Sequence, residues 1–367
     1  MLAFRAIFIA ELISSYFIPS AFAAAISNAA SIAPVLESRS TAQTEPASGD
    51  YIISQSPISG KTVYSTFSAA IAAIDKVSSS KTVTVFVYPG TYKEQLTFNR
   101  SGTTIFRGYT EDTSSYTHNQ VTIQNSHGVD TQSGESDVDS ATLYSRATDI
   151  QLYNINLKNT FGQTRNYASL GFAIDGNGLA AFYGCQITGN QDTFYVNAGS
   201  SVFAYNTLVE GSIDFIWGSG SAYFLNSTIV PNTKGGYISA MKRASASTTG
   251  GLVFDQSYII ASSSVSSGSV YLGRPWNQYA KVAYIKSYLD ASIASAGWSV
   301  WSTSDTRTSG VVFGEYQNYG SGAATTGRAS FSTQLSSTSV AQFQLSKFFS
   351  STSWIDMTSV KTTPFSV

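Results

Sequence analysis

Two aspartates occupy similar sequence surroundings and are candidates for a chemical pair. Asp192 lies in the segment GNQDTFY (189–195), and Asp214 lies 22 residues later in GSIDFIWG (211–218). Two carboxyl groups that are held close together do not both ionise readily, so one keeps its proton to higher pH while the other is charged. Such a pair can supply a general acid beside a nucleophile or base.

An arginine further along the chain can decide which of the two carboxylates stays charged. Arg274 lies in the segment LGRPW (272–276), where Pro275 restricts the backbone. A neighbouring guanidinium favours the charged form of a carboxylate. The alternative interpretation is that aspartates beside Gly and Asn only form turns. The 22-residue spacing, the preceding Gln191 and the flanking aromatic residues favour the chemical interpretation.

The elements that must position these side chains show an internal repeat. Three strand-like segments match at intervals of 21 and 20 residues, with these residues at the same position: Cys185, Asn206 and Asn226. An interval near twenty residues is typical of one solenoid coil, and the leucine-rich consensus is missing, so we predict an all-β parallel β-helix. Phe would stack on Phe, and Asn on Asn, inside the coil. Neighbouring strands lie about 4.8 Å apart, so one coil would bring Asp192 beside Asp214.

Both ends of such a coil need cover, because an exposed last rung offers unpaired strand edges. Apolar residues recur at helical spacing over residues 67–77, after the candidate N-caps Ser65 and Thr66. We predict a short N-terminal capping helix there. A weaker helical pattern over residues 340–348 predicts a segment that covers the other end.

The N-terminal residues indicate export. Residues 1–23 combine an early positive charge, an apolar stretch and a small-x-small pattern, which is typical of a signal peptide. Residues 24–50 lack periodicity and predict a flexible segment, so residues 51–367 would form a single domain. We expect a secreted, extracellular protein, the alternative being an N-terminal membrane anchor. Two glycosylation sequons, at Asn99 and Asn226, agree with an extracellular chain.

Composition argues against several other classes of protein. Charged residues form only 12% of the chain, the net charge is −1, and scattered Lys and Arg form no basic stripe for nucleic acid. Cys185 is the only cysteine, which excludes an internal disulfide, and we expect it to be a buried apolar residue. His118 and His127 lie far upstream of the acidic motifs, so a Ser-His-Asp hydrolase is poorly supported. We interpret four acidic residues of one loop as a solvated turn, because their spacing matches no EF-hand: Asp130, Glu135, Asp137 and Asp139.

Four motifs, in their order along the chain, resemble those of the pectin methylesterase family. They are GTYKE (90–94), QDT (191–193), DFIWG (214–218) and LGRPW (272–276). A further segment, GYTEDT (108–113), is similar to the fungal branch. The resemblance covers residues 51–354 and implies a right-handed parallel β-helix that hydrolyses the C6 methyl esters of galacturonate in methyl-esterified homogalacturonan (pectin). It implies no metal or organic cofactor, and we expect a monomer.

The resemblance also implies a role for each site residue. Asp214 would be the nucleophile that attacks the ester carbonyl, and Asp192 would be the acid that protonates the departing methoxide and then activates water. Gln191 would donate its amide N–H to the oxyanion, while Arg274 would favour the charged form of the nucleophile. Two aromatic residues would stack against sugar faces: Trp276 and Tyr195.

One departure from the family pattern concerns the oxyanion. The family supplies a second amide donor, a Gln, near residues 167–169, where this chain has none. Losing one such donor typically costs roughly 10²–10³ in rate. Gln163, Asn166 or a backbone N–H could replace it, and the spacing does not choose among them. Two other functions stay open: a weakly active or inactive pectin-binding homologue, and a lyase or polygalacturonase on the same scaffold.

Overall fold

Short parallel strands stack into three long sheets in the computed structural model, which describes residues 42–164 and 166–367. The paired strands of these sheets run parallel, and each complete turn of the coil adds one strand to each sheet, while the turns at the two ends add fewer. The predicted parallel β-helix is therefore confirmed. Two very short strands, Val129–Asp130 and Tyr167–Ala168, pair antiparallel outside the three sheets.

The three sheets are named A, B and C. Sheet A has eleven strands: Tyr51–Ile53, Val83–Val87, Thr104–Gly108, Asp149–Tyr153, Leu179–Tyr183, Ser201–Tyr205, Ser221–Leu225, Gly251–Asp255, Lys281–Ile285, Val312–Tyr316 and Ser332–Gln334. Sheet B has eight strands: Gly90–Lys93, Val121–Asn125, Ile155–Asn159, Gln186–Thr188, Leu208–Gly211, Thr228–Pro231, Tyr258–Ile259 and Tyr288–Leu289. Sheet C has seven strands: Leu96–Phe98, Leu143–Ser145, Phe172–Ile174, Phe194–Val196, Ile213–Gly218, Tyr237–Met241 and Tyr271–Pro275.

Aromatic rings stack along the interior of the coil. Phe224 pairs in register with Phe254, and Phe254 with Tyr284. Their rings lie nearly parallel, with centroids 5.1 Å and 4.3 Å apart, and all three side chains are buried. This confirms the expected stacking of aromatic residues, which buries large apolar surfaces at every rung.

The expected inward Asn stack is wrong by one residue. Asn206 and Asn226 have φ of 48° and 49° and form corners of the coil, a conformation that Asn tolerates better than most residues. The buried row is made by the residue after each corner. Cys185 N–H donates to the Thr207 hydroxyl (3.4 Å), and Thr207 N–H donates to the Ser227 hydroxyl (3.2 Å). Cys185 is thus buried as predicted, but in a row of hydroxyl residues.

The N-terminal helix spans Phe67–Ile74 and covers the first coil. Thr66 is its N-cap and accepts from Ala69 N–H (3.1 Å). One face of the helix packs on the coil interior through three buried residues: Phe67, Ala70 and Ile74. The predicted capping helix is confirmed, and its last turn ends three residues earlier than the apolar pattern suggested.

The C-terminal segment does not cover the last coil, contrary to prediction. The helices Ser337–Val340 and Leu345–Phe348, joined by the 3₁₀ turn Ala341–Phe343, lie on the outer face of sheet A. The outer face of sheet A carries a row of aromatic residues, and the C-terminal segment covers this row. Backbone N–H groups beyond residue 348 donate to the Tyr183 and Tyr205 hydroxyls at 2.7 Å and 3.0 Å.

The predicted signal peptide, residues 1–23, lies outside the described residues, as does most of the predicted flexible segment 24–50. Where description begins, Gln43 pairs antiparallel with Thr110 and donates its side-chain amide to Gly108 O (2.6 Å). The last residues of that segment therefore contact the coil. In the part of the chain that is described, no helix is long and apolar enough to cross a membrane.

Candidate active site

Asp192 and Asp214 occupy equivalent positions on adjacent coils, as the 22-residue spacing predicted. Phe194 pairs with Ile216 in sheet C, so the residues two positions earlier are also in register. The Asp192 N–H donates to Ile213 O (3.0 Å), which joins the two coils beside the carboxyl groups. Only 7% of Asp192 and 8% of Asp214 is exposed. The fold thus places two carboxyl groups side by side in a poorly solvated position.

The backbone at both aspartates is unusual. Asp192 has φ of 63° and Asp214 has φ of 50°, in the left-handed region that few non-glycine residues adopt. The register between Ile213–Gly218 and Tyr237–Met241 also shifts around Asp214, which is the signature of a bulge. Bulges and left-handed residues redirect side chains at functional sites. Both carboxyl groups are therefore aimed by the strand starts of sheet C.

Arg274 makes a two-pronged contact with Asp214. Its Nε donates to Oδ1 (2.9 Å), and its Nη2 donates to Oδ2 (2.7 Å). The guanidinium also lies over two aromatic rings, with its carbon 4.1 Å from the Tyr237 centroid and 4.3 Å from the Trp301 centroid. Planar stacking and paired hydrogen bonds are what an arginine can supply and a lysine cannot.

The surroundings of the two carboxyl groups push their pKa values apart. Burial raises the pKa of Asp192 well above its usual value, and the charge of Asp214 raises it further. Burial also raises the pKa of Asp214, but the hydrogen bonds and charge of Arg274 oppose that rise. Asp214 is thus the group that ionises first, and Asp192 is the group that keeps its proton.

Gln191 is the amide of this site. Its side chain hydrogen-bonds to Asp192, which lowers the pKa of that carboxyl against the larger effect of burial. On the preceding coil, Ala168 pairs with Gln191 and is fully buried. A methyl group therefore occupies the position beside the amide. Gln163 and Asn166, the candidates for a second amide donor, both lie in an exposed loop.

Aromatic residues form the floor beside the carboxyl groups. The rings of Tyr195 and Trp217 are 4.3 Å apart, and those of Trp217 and Trp276 are 5.3 Å apart. Trp217 Nε1–H also donates to the backbone carbonyl of Asp192 (2.9 Å), which ties the floor to a residue that carries one of the two carboxyl groups. Lys242 Nζ lies 3.4 Å from the centroid of the Trp276 ring. The predicted pair of Tyr195 and Trp276 therefore belongs to a continuous aromatic surface.

Sequence reasoning missed several neighbours of the site. The strand register brings Tyr237 and Lys242 from the preceding coil to Arg274 and Trp276, and Trp301 reaches Arg274 from a segment outside the strands. Asp137, which the sequence placed in a solvated turn, is half-buried and its charge acts on Asp192. No local signal distinguishes these residues, because the contacts are made across coils of variable length.

The two histidines, for which the sequence predicted no catalytic role, make contacts outside this site. His118 Nδ1 contacts Asp112 Oδ2 (3.0 Å) in an exposed position, and His127 Nδ1 contacts the Gln95 amide (3.2 Å). Across residues 42–164 and 166–367, no group of three or more His, Cys, Asp and Glu residues is arranged to hold a metal ion.

Comparison with known proteins agrees with this geometry. The family model described as Pectinesterase matches residues 54–352. A pectinesterase from Aspergillus aculeatus is 38% identical over 303 residues, which cover 80% of this chain and 88% of that protein. Pectinesterase A from Emericella nidulans is 39% identical over 272 residues, 74% of this chain and 80% of the relative.

Solved structures of pectin methylesterases also match this chain. The deglycosylated pectin methylesterase from Aspergillus niger matches with a TM-score of 0.71 and 34% identity, over 81% of this chain and 93% of that one. The pectin methylesterase from carrot matches with a TM-score of 0.75 and 26% identity, over 88% and 99% of the two chains. The family match over most of the chain and the identities to fungal relatives lead to one conclusion: this chain belongs to the pectinesterase family, whose members are carboxylic ester hydrolases.

Proposed function

We propose that this chain hydrolyses the C6 methyl esters of homogalacturonan to pectate and methanol, with Asp214 as nucleophile and Asp192 as general acid and base. One observation carries the assignment of roles. The two carboxyl groups are buried on adjacent coils, but Arg274 makes its two-pronged contact with Asp214 alone. An ionised group and a protonated group therefore stand side by side near neutral pH.

In the first half of the reaction, the ionised Asp214 carboxylate attacks the ester carbonyl carbon. The negative charge moves to the carbonyl oxygen, and the Gln191 amide N–H donates to it. As the tetrahedral intermediate collapses, the bond to the methoxy oxygen breaks, and Asp192 transfers its proton to that oxygen. Methanol leaves, and the uronate is held as an acyl group on Asp214.

The second half returns both groups to their starting states. Asp192, now ionised, takes a proton from water as the water oxygen attacks the acyl carbon. The bond to Asp214 breaks, so that its carboxylate is restored next to Arg274, and Asp192 is again protonated. The sum of the two halves is ester plus water to carboxylic acid plus methanol, and both carboxyl groups are regenerated.

The polysaccharide would lie along sheet C, across successive coils. Tyr144, Tyr195 and Trp217 occupy one outward row of that sheet, with Ala173 between the first two. Rings on such a row present flat apolar faces to sugar rings, and Trp276 extends the surface. The buried aspartates lie at the edge of this row. A single chain can supply all of these residues, which supports a monomer as the active form.

Secretion is part of the same proposal. The pattern of residues 1–23 supports a signal peptide, and the substrate is a cell-wall polysaccharide. Of the two sequons, Asn99 is exposed and Asn226 is half-buried at a corner of the coil. Glycosylation at Asn99 is thus the sterically easier of the two. N-terminal sequencing and intact mass of the secreted protein would test both points.

The decisive experiment is methanol release from esterified pectin by the wild-type chain and by Asp214→Ala. We expect methanol without new reducing ends from the wild type and almost none from the variant. Equal release by the variant would remove the assigned nucleophile. A fall in viscosity without methanol would instead indicate a lyase or polygalacturonase.

A second candidate is a pectin-binding homologue with little activity. The observation in its favour is Ala168, whose methyl group stands beside Gln191 and offers no hydrogen-bond donor. If this candidate is correct, the wild-type chain binds pectin but releases methanol at least about 10²-fold more slowly than an active fungal relative. That difference corresponds to the loss of roughly 10²–10³ in rate when one oxyanion donor is missing. Turnover within tenfold of that relative would rule it out.

A further inference from the structure

Asp137 reaches the site from outside the three sheets. It begins the 3₁₀ turn Asp137–Ser140, and it is the residue of that turn whose charge acts on both Asp192 and Tyr195. The turn packs against the short strand Tyr167–Ala168, which in turn pairs with Gln191. The turn that carries this third carboxyl group therefore adjoins the strand that pairs with Gln191, close enough for its charge to act on Asp192.

The position of Asp137 is fixed by its own turn. The Ser140 hydroxyl donates to Asp137 O (2.8 Å) and accepts from Leu170 N–H (3.1 Å). Val138 packs with Ala168 in the same apolar cluster. A buried serine thus ties the turn to the segment that follows Ala168, so the backbone that carries Asp137 is held in place by hydrogen bonds and by packing.

The Asp137 side chain has no structural role that would explain its place. Within the described residues, its carboxyl group makes no ion pair and no side-chain hydrogen bond, although it is half-buried. Asp139, two residues later in the same turn, is exposed. A half-buried carboxyl group without a partner is costly, and ionisable groups with perturbed pKa values cluster at functional sites.

We infer that Asp137 is a positioning residue for the hydrolysis: in its ionised form, it holds the transferable proton on Asp192 while Asp214 attacks. This inference rests on the proposed function. Like charges favour the neutral form of one member of a cluster, and Asp192 is the member that faces two other carboxyl groups. Asp137 acts through Asp192 and need not touch the substrate.

The charged and titratable groups around Asp192 come from three places. Asp214 and Arg274 face it from sheet C, Tyr195 lies on its own strand, and Asp137 faces it from the 3₁₀ turn. Arg274 lowers the pKa of Asp192 only weakly compared with burial and the two carboxylates, because its hydrogen bonds go to Asp214. With rising pH, Asp192 is expected to ionise after both Asp214 and Asp137, because it is the member of the three whose pKa is raised well above its usual value.

Both halves of the reaction benefit from this order. During acylation, more of the enzyme carries the proton that methoxide needs. During deacylation, the same negative charge makes Asp192 a stronger base toward water. Attack by Asp214 only moves one negative charge from its carboxylate to the ester oxygen, so the repulsion from Asp137 changes little in that step.

The test compares Asp137→Asn with Asp139→Asn, which removes an equal charge from the exposed side of the same turn. The readout is kcat/KM for methanol release across pH. For Asp137→Asn, we expect the alkaline limb to move to lower pH by about half a unit to one unit, a three- to tenfold loss at a pH on that limb. The acid limb should stay in place. Asp139→Asn should leave both limbs unchanged, and Asp137→Glu should restore the wild-type profile.

A second readout does not need turnover. The Asp192 carboxyl can be followed by ¹³C NMR in the unliganded protein, and its titration should move to lower pH in Asp137→Asn. If Asp214→Ala stays active, the proposed function fails while this titration still decides whether the two carboxyl groups are coupled. An unchanged alkaline limb together with an unchanged Asp192 titration would overturn the inference, as would an equal shift in Asp139→Asn. Asp137→Ser serves if the Asn variant does not fold.

Discussion

Replacing Arg274 by leucine should move the acid limb of the pH profile and not only lower the rate. Leucine keeps the apolar contact with Tyr237 and Trp301 but removes both hydrogen bonds to Asp214. The side chains of Arg274 and Asp214 are 18% and 11% exposed, so water screens the pair little. Burial already raises the pKa of Asp214, and without the arginine nothing of equal strength opposes it.

The size of the effect follows from these contacts. A hydrogen bond to a charged group contributes about 1.5–3 kcal/mol. Since about 1.4 kcal/mol corresponds to one pKa unit, the acid limb of kcat/KM should move up by about one to two pH units. At a pH on that limb, this is a loss of roughly ten- to a hundredfold. Above the new limb, the loss should be smaller.

The stability of the Arg274→Leu variant should also depend on pH, with the larger loss at higher pH. The pKa of Asp214 in the folded state lies above its usual value of 3.8 and rises further in Arg274→Leu. A carboxyl whose pKa is raised by folding is harmless below its unfolded pKa, where it is protonated in both states, and it destabilises as pH rises through the folded pKa. The variant should therefore lose about 3–5 kcal/mol of unfolding free energy near neutral pH. The pKa rise of about one to two units accounts for about 1.4–3 kcal/mol of that loss, and this part should be regained near pH 3.

The matched control is Arg328→Leu. Arg328 forms a buried ion pair with Glu315 (2.9 Å), with side chains only 6% and 2% exposed, in the last coils of the molecule. Its removal should lower stability by a similar amount but leave the pH dependence of methanol release unchanged. An unchanged acid limb in Arg274→Leu, or an equal shift of that limb in both variants, would contradict the role of Arg274 in keeping Asp214 ionised.

Three further changes separate contributions to rate, binding and stability. Gln191→Ala should lower kcat roughly 10²–10³-fold with little change in KM, since its amide serves the transition state; a change in KM alone would contradict this role. Lys242→Gln should weaken the binding of partly de-esterified pectin more than that of fully esterified pectin, because the Lys242 ammonium on the Trp276 ring is available to a uronate. The measurement is KM for both substrates at low and high salt. Phe254→Ala should lower the unfolding free energy by about 3–5 kcal/mol in denaturant titrations while the pH profile stays the same.

The pairing of the aspartates was predictable because the coil between them is regular. Asp192 and Asp214 are one lap apart, and the strands that follow them pair without a shift from Phe194 to Val196. The motif resemblance gave the same pair and the same arginine, Arg274. The coil length in this part of the chain is therefore sufficient to derive the centre of the site from the sequence.

The prediction of which residues point into the coil was wrong where the coil length differs by one residue from the assumed repeat. Tyr183, Tyr205 and Leu225 pair in register, so successive coils are 22 and 20 residues long, whereas the repeat was aligned at 21 and 20. In a strand, a slip of one residue moves a side chain to the opposite face. The corners carried the missing signal, because Gly184 and Asn206 are both left-handed and both belong to residue types that accept this conformation.

The surroundings of the pair depend on contacts that have no regular spacing. Asp137 and Asp139 are two residues apart in one acidic turn, and nothing in the local sequence says which of them faces the site. The turn is positioned by Ser140 and by the strand Tyr167–Ala168, whose place depends on a loop of irregular length. Lys242 likewise reaches Trp276 only because strands of unequal coils pair.

The regular coil is what allows a site with these unfavourable features to exist. Two non-glycine residues in the left-handed region cost of order 1–3 kcal/mol each, and two buried carboxyl groups with raised pKa values add to that cost. Two interior rows continue through neighbouring coils: the hydrogen-bonded row of Cys185, Thr207 and Ser227, and the aromatic stack through Phe254. The backbone at both aspartates is therefore held by contacts that the aspartates do not make. Substituting Asp192 by Gly should accordingly raise stability while abolishing methanol release, and a loss of stability in that variant would show that the carboxyl group, and not the coil, holds the strand start in place.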